Sequence, residues 1–201
     1  MTRVVLATRN EGKLVELRRL LEPFGIELVG LGDVAAYEPG LETEPDFAGN
    51  ALAKARQAVH HTGLPAVADD SGLTVDALHG MPGVLSARWA GRHGDDVANL
   101  QLVLGQLADV PDERRGASFV CAAAFVLPDG AEHVVEAVVR GTLLRAPRGS
   151  GGFGYDPLFL PEGSQRTTAE MTPGEKDAVS HRGRALRALA PLLARALGDK
   201  G

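Results

Sequence analysis

The feature that most restricts the fold is a pair of long apolar stretches separated by a tight turn. Ser118 to Leu127 reads as a strand rich in Val, Phe and Ala, and Pro128-Asp129-Gly130 turns it back. Glu132 to Leu144 reads as the return strand. Neighbouring strands joined by so short a connection are antiparallel, so a purely parallel doubly wound sheet is excluded. Elsewhere the chain alternates strand and helix. Val4-Val5-Leu6-Ala7 reads as a buried strand. It passes through Thr8-Arg9-Asn10-Glu11-Gly12-Lys13 into a helix carrying Leu14, Leu17, Leu21 and Phe24, with Asn10 as a candidate N-cap and Gly25 as a stop. Ile26 to Val29 should be the next strand, and Asp46 should cap a helix through Phe47, Leu52, Ala55 and Val59.

The remaining elements are short. Leu73 to Leu78 can continue as strand, Gly80-Met81-Pro82-Gly83 is a turn, and Val97 to Leu107 is helical. Thr172-Pro173-Gly174-Glu175 has the spacing of a capping box with proline at the first helical position. Ser180-His181-Arg182 opens a last helix, which Pro191 should kink or restart.

A chain of 201 residues with 44% hydrophobic residues is long enough for one domain, or one domain with two lobes. Aromatics are only 4%, so Ala, Val and Leu must build the core. The one cysteine, Cys121, excludes an internal disulfide, suits a reducing compartment, and sits between Val120 and Ala122 like a small core residue. Met1-Thr2-Arg3-Val4 lacks the pattern of a secretory leader, and no apolar run is long enough to span a bilayer. These readings point to a cytoplasmic protein with no membrane partner. A net charge of -5 argues against direct nucleic-acid binding but not against an anionic small substrate.

Four stretches can carry chemistry. In Ala66-Val67-Ala68-Asp69-Asp70-Ser71-Gly72 a short apolar run ends in two carboxylates. Ligands in open α/β sheets lie at the carboxyl ends of strands. Adjacent aspartates on an extended chain face opposite ways, so one can bind a cation or water while the other braces the turn. A plain Asp-Ser-Gly turn explains these residues as well. The loop before Lys13 would offer free N–H groups and a helix dipole to an anion, though an ordinary capped helix would look the same. The acidic run Glu38, Glu42, Glu44 is either a solvated loop or a source of a metal ligand. Asn50 and Lys54, four apart, share a face of the following helix. Gly149-Ser150-Gly151-Gly152-Phe153-Gly154-Tyr155-Asp156-Pro157 combines glycines, which admit close backbone approach, with rings that can stack on a base.

Taken together, Thr8-Arg9-Asn10-Glu11-Gly12-Lys13, Ala68-Asp69-Asp70-Ser71-Gly72, Gly152-Phe153-Gly154-Tyr155-Asp156-Pro157 and Ser180-His181-Arg182 resemble one family. It is that of the inosine/xanthosine triphosphate pyrophosphatases, house-cleaning enzymes acting on non-canonical purine nucleotides. The resemblance spans essentially the whole chain, implying a single such domain over residues 1–201. It implies an α/β fold with a long mixed β-sheet and flanking helices, two lobes around a central nucleotide-binding cleft, and a homodimer. It also implies magnesium-dependent hydrolysis of a purine nucleoside triphosphate to the monophosphate and pyrophosphate. By this match the segment Thr8, Arg9, Asn10, Glu11, Gly12, Lys13 binds the triphosphate. Asp70 is the proton acceptor and a metal ligand, and Ser71 contacts substrate. Glu42 matches the acidic metal site of the second loop, and Asn50 and Lys54 fit the pattern of the second helix. Phe153, Gly154, Tyr155 and Asp156 match the base-binding loop, and Lys176, His181 and Arg182 the remaining substrate contacts.

The chain departs from the family in the acidic loop. The usual Glu-Thr-Gly-x-Thr-Phe, with an acidic residue before the asparagine, is here Glu42-Thr43-Glu44-Pro45-Asp46-Phe47 and then Gly49. Glu38 and Glu44 therefore stay open beside Glu42 as the metal ligand. Asp70 and Glu42 can hold magnesium, which prefers one or two carboxylates plus phosphates and water. Donors on His181 and Arg182 would read the 6-keto oxygen of the base and disfavour adenine. The rival readings are a Maf-like pyrophosphatase for modified nucleotides and a silent nucleotide-binding module.

Overall fold

The structure is a computed structural model. It describes residues 3–8, 11–34, 37–38 and 40–198, the side chains of residues 11, 12, 16 and 20 excepted. Its strands are β1 Arg3–Leu6, β2 Glu27–Gly30, β3 Ala66–Val75, β4 Gly116–Val126, β5 Glu132–Leu143 and β6 Phe159–Pro161. They form one sheet in the order β2-β1-β3-β4-β5-β6. The helices are α1 Glu11–Leu21, α2 Phe47–Thr62, α3 Asp96–Gln106, α4 Pro173–Val179 and α5 His181–Gly198.

The sheet is mixed, as the hairpin requires. β1 runs parallel to β2, with Val4 opposite Leu28, and parallel to β3, with Leu6 opposite Val67. β5 is antiparallel to β6, with Thr142 opposite Leu160. The turn from β4 to β5 is closed by Leu127 N–H donating to the Ala131 carbonyl at 2.8 Å. Local signals set the helix ends. The Asp46 carboxylate accepts from Gly49 N–H at 2.7 Å, and α2 ends at Gly63 with φ +67°. Thr172 and Glu175 complete the expected capping box at α4.

The chain forms two compact units, one of residues 1–70, 121–137 and 182–201, the other of residues 71–120 and 138–181. In the first, α5 lays Ala185, Leu186, Leu189, Ala190 and Leu193 against Leu6, Leu17, Val67 and Phe125. Cys121 is buried in the same cluster. In the second, Leu100 and Val103 of α3, with Leu107 just past its end, pack with Leu73, Phe119, Tyr155 and Phe159. The aromatic-poor composition is thus met by aliphatic cores. Among the described residues no helix is long and apolar enough to cross a membrane.

Two local expectations are corrected. The Asp69-Asp70-Ser71-Gly72 stretch is neither a strand end nor a turn, because β3 continues through it to Val75 and only Asp76–Leu78 coil into a 3-10 turn. Ion pairs described below offset the charge of both carboxylates inside the strand. Pro191 does not restart the last helix. It stands on the exposed side, where water can replace the lost helical bond, while Leu189, Ala190 and Leu193 hold both flanks in the core.

Candidate functional site

In the first unit, β3 presents its two aspartates to different partners, as an extended strand must. Asp69 Oδ2 accepts from Lys13 Nζ of α1 at 2.8 Å and from Arg182 Nε of α5 at 3.2 Å. Asp70 Oδ1 accepts from Lys54 Nζ at 2.9 Å, and its Oδ2 from Asn50 Nδ2 at 3.1 Å. The adjacent groups are tuned in opposite directions. Burial works against ionised Asp69, but the charges of Lys13, Arg182 and Lys54 prevail and hold its carboxyl well below the usual range. Burial also dominates at Asp70, where the opposing pull of Lys54 and Lys13 is weakened by the Glu42 charge, and its carboxyl is pushed up. Lys54 is half-buried, which works against its charge, yet Asp70, Asp69 and Glu42 together keep its ammonium protonated beyond the usual range. One ammonium thus serves several carboxylates. It is firmly charged, and Asp70 receives only a share of it.

The acidic loop delivers its carboxylate to this cluster. Glu42 Oε1 accepts from Lys54 Nζ at 3.0 Å, so Glu42, rather than Glu38 or Glu44, shares the ammonium with Asp70. Glu44 contributes its backbone N–H, which donates to Asn50 Oδ1 at 3.1 Å. Asn50 is 1% exposed and joins the acidic loop to Asp70 through its two amide atoms. The departure from the family pattern is compensated in space. A Cβ on residue 49 would stand 2.8 Å from the Glu44 Cβ, so the side chain gained at 44 requires the glycine at 49.

Two carboxylates drawn to one cation suit a hard divalent ion. Among the described residues no group of three or more His, Cys, Asp or Glu side chains can hold a metal. An ion at Glu42 and Asp70 would complete its shell with water and phosphate oxygens, the usual habit of magnesium.

In the second unit the glycine loop folds around Asp156. This carboxylate is 3% exposed. Oδ2 accepts from Lys176 Nζ at 2.7 Å and from Phe153 N–H at 2.8 Å, and Oδ1 accepts from Thr168 Oγ1 at 2.7 Å. Gly152, at φ +71°, leaves the space that a Cβ would take from the Asp156 carboxylate. The close backbone approach expected of these glycines is, here, to the protein's own groups. Tyr155 points into the core, where its hydroxyl donates to the Ser86 carbonyl at 2.9 Å. Burial, with the Asp96 charge, pushes that phenol up. Phe153 stays half-buried, with Lys176 Nζ 4.6 Å from its ring centroid. Gly154 N–H is held by Asp96 Oδ2 at 2.7 Å, and the His181 ring stacks on Phe119 with centroids 4.8 Å apart.

A sequence model of the Ham1 family matches residues 4–192. The chain belongs to the Ham1 family. Among Ham1 relatives it is 61% identical to the dITP/XTP pyrophosphatase of Mycobacteroides abscessus, over 95% of this chain and 94% of that one. It is equally 61% identical to the dITP/XTP pyrophosphatase of Nocardia farcinica, over all of this chain and 98% of the other. A crystal structure of the nucleoside-triphosphatase, or dITP/XTP pyrophosphatase, from Mycobacterium abscessus superposes with a TM-score of 0.78 at 62% identity, covering 94% of this chain and 100% of that one. The Ham1 protein of Coxiella burnetii superposes with a TM-score of 0.85 at 43% identity, covering 97% and 100%.

Of the expected site residues, Lys13, Lys54, Asp70, Glu42 and Arg182 are gathered in the first unit around the two aspartates. Phe153, Gly154, Asp156 and Lys176 are gathered in the second. Thr8 lies two residues past the end of β1, and Ser71 lies within β3 beside Asp70. Arg9 and Asn10 lie outside the described residues, as do the side chains of Glu11 and Gly12. Two polar residues organise these groups: Asn50, which the sequence set on one helix face with Lys54 without giving it a contact, and Thr168, which sequence reasoning left out. The spacing of Asn50 from Lys54 was a usable signal. Thr168 had none, because its role exists only once the chain brings it to Asp156.

Proposed function

We propose that this chain hydrolyses dITP, ITP and XTP to the corresponding monophosphate and pyrophosphate, with magnesium bound by Asp70 and Glu42, and that it acts as a homodimer. The observation that carries the reading is the ammonium of Lys54 shared by Asp70 and Glu42. The named activity of relatives at 61% identity supports it.

The residues divide the work by chemistry. Lys13 and Lys54 offer cationic donors to phosphate oxygens. Asp70, raised by its burial, takes a proton more readily than an ordinary carboxylate. It orients a water toward the α-phosphorus and accepts its proton. The water oxygen forms the new bond, the bond from that phosphorus to the α,β-bridging oxygen breaks, and pyrophosphate leaves with the electron pair. Bound magnesium would supply charge neutralisation for the phosphates. Asp69 keeps Lys13 and Arg182 in place and stays ionised throughout. In the second unit the Phe153 ring is assigned to stacking on the purine, and the bond from Asp156 to Phe153 N–H holds it in position.

The deciding experiment measures pyrophosphate release with magnesium over dITP, XTP, dGTP, ATP and methylated pyrimidine triphosphates. Turnover should favour dITP and XTP. In oxygen-18 water the label should enter the monophosphate. A preference for methylated pyrimidines would favour the Maf-like reading, and binding without turnover a silent module. Light scattering of the purified protein tests the dimer.

A further inference from the structure

One face of α2 holds the acidic loop along several of its residues. Asn50, Lys54, Gln57 and His61 recur at spacings of four, three and four, which keep to one stripe of a helix. Each meets an earlier point of the loop than the one before. Asn50 Oδ1 takes the Glu44 N–H at 3.1 Å, and Lys54 Nζ donates to Glu42 at 3.0 Å. Gln57 Oε1 takes the Gly40 N–H at 2.8 Å, and its Nε2 donates to the Glu38 carbonyl at 2.9 Å. The His61 ring stacks on Tyr37, with centroids 4.6 Å apart and planes 14° from parallel. His61 Nδ1 in turn lies 2.8 Å from the Gln57 carbonyl. The loop is clasped antiparallel to the helix, turn by turn.

We infer that Gln57 is a positioning residue for the Glu42 carboxylate, with the His61–Tyr37 stack as the far anchor of the same clasp. Residues 40–46 form neither helix nor strand, so their backbone groups must find partners elsewhere. The ion pair to Lys54 does not fix the loop by itself. A long flexible side chain with a rotatable ammonium can follow a carboxylate through many positions. Gln57 differs because its amide grips a backbone donor and a backbone acceptor on either side of residue 39, which sets direction as well as distance. Residue 40 is two positions from Glu42, so a loop held there has little room to swing its carboxylate away from Lys54.

The inference rests on the proposed magnesium role of Glu42 only in its metal-binding arm. Gln57→Leu removes both backbone bonds from a solvent-facing position. Gln57→Glu keeps the acceptor for Gly40 N–H but sets a carboxylate against the Glu38 carbonyl. The Gly40 amide should exchange hydrogen faster in Gln57→Leu, and less so in Gln57→Glu, while amides within α2 keep their protection. Manganese binding, titrated by calorimetry without nucleotide, should weaken about tenfold in Gln57→Leu, the size of one to two net hydrogen bonds. It should weaken less in Tyr37→Leu. At saturating metal, kcat for dITP should be retained. In a Glu42→Gln background the Gln57→Leu effect on manganese should vanish. Unchanged manganese affinity in Gln57→Leu, with a clear loss in Glu42→Gln, would overturn the positioning role and leave the metal assignment standing. Unchanged affinity in both variants would overturn the metal assignment, and the positioning role with it.

Discussion

Arg182 Nε lies 3.2 Å from Asp69 Oδ2, and both side chains are sealed from solvent, 3% and 0% exposed. Lys13 Nζ reaches the same carboxylate oxygen at 2.8 Å. A mid-strand carboxylate therefore joins the first and last helices of its unit. Substitution of Arg182 tests whether it serves the base or the fold. Arg182→Met should cost about 3 kcal/mol in urea unfolding, the lower end for a broken buried pair because Lys13 stays on Asp69. The ratio of dITP to ATP turnover should not change, since the guanidinium is engaged with Asp69. A narrowed ratio would instead mean that Arg182 reads the 6-keto oxygen.

Asp69 also sets the behaviour of the protein in acid. Its carboxyl is held below the usual range in the fold by Lys13, Arg182 and Lys54, against its burial. A group with a depressed folded pKa gives its stability in full above its unfolded value of about 4, and loses it progressively below that pH. Stability measured by urea should therefore fall steeply as pH drops from about 5 to 3. Asp69→Asn should be less stable at neutral pH and show a shallower slope over that interval. Parallel slopes would mean that other carboxylates carry the acid response.

Asp70→Asn keeps the size of the side chain while removing the charge, and its single amide oxygen can keep only one of the two bonds, from Asn50 or from Lys54. Turnover of dITP at saturating magnesium should fall at least about 100-fold, the scale of a positioned general base. The protein should still fold, its stability lowered by no more than about the cost of one hydrogen bond, because burial already opposes the ionised form. Near-parental turnover would remove Asp70 from the mechanism.

The base-stacking assignment of Phe153 makes a different kind of prediction. A ring face does not distinguish a 6-keto from a 6-amino group. Phe153→Ala should weaken dITP, XTP and ATP alike, by about tenfold in KM, at the lower end of measured base stacking. A selective loss for one base would point to an edge contact.

The exchange between residues 44 and 49 can be tested through stability alone. Glycine to alanine within a helix ordinarily stabilises by up to about 1 kcal/mol. Here the new Cβ would meet the Glu44 Cβ at 2.8 Å, and a Cβ cannot rotate out of the way. Gly49→Ala should therefore destabilise alone and stabilise in a Glu44→Gly background. Additive effects in the double variant would show that the two positions are independent.

What the sequence determined by itself was local. The hairpin from β4 to β5, the Asp46 cap of α2 and the Thr172–Glu175 capping box each depend on residues a few positions apart, so their outcomes follow from composition and spacing. The opposite facing of Asp69 and Asp70 also followed, because alternation is a property of any extended chain. Resemblance to a family added which residues to watch, but not whom they meet. Only the tertiary structure placed Asp69 and Asp70 inside β3 rather than at its end. It set Arg182 on Asp69, gave Glu42 the ammonium shared with Asp70, and turned Tyr155 into the core. Those partners are distant along the chain, and helix and sheet packing chooses among many possible pairings of like side chains. A carboxylate in a sequence can be matched by any lysine or arginine. In the fold it is matched by the one that the core brings within reach.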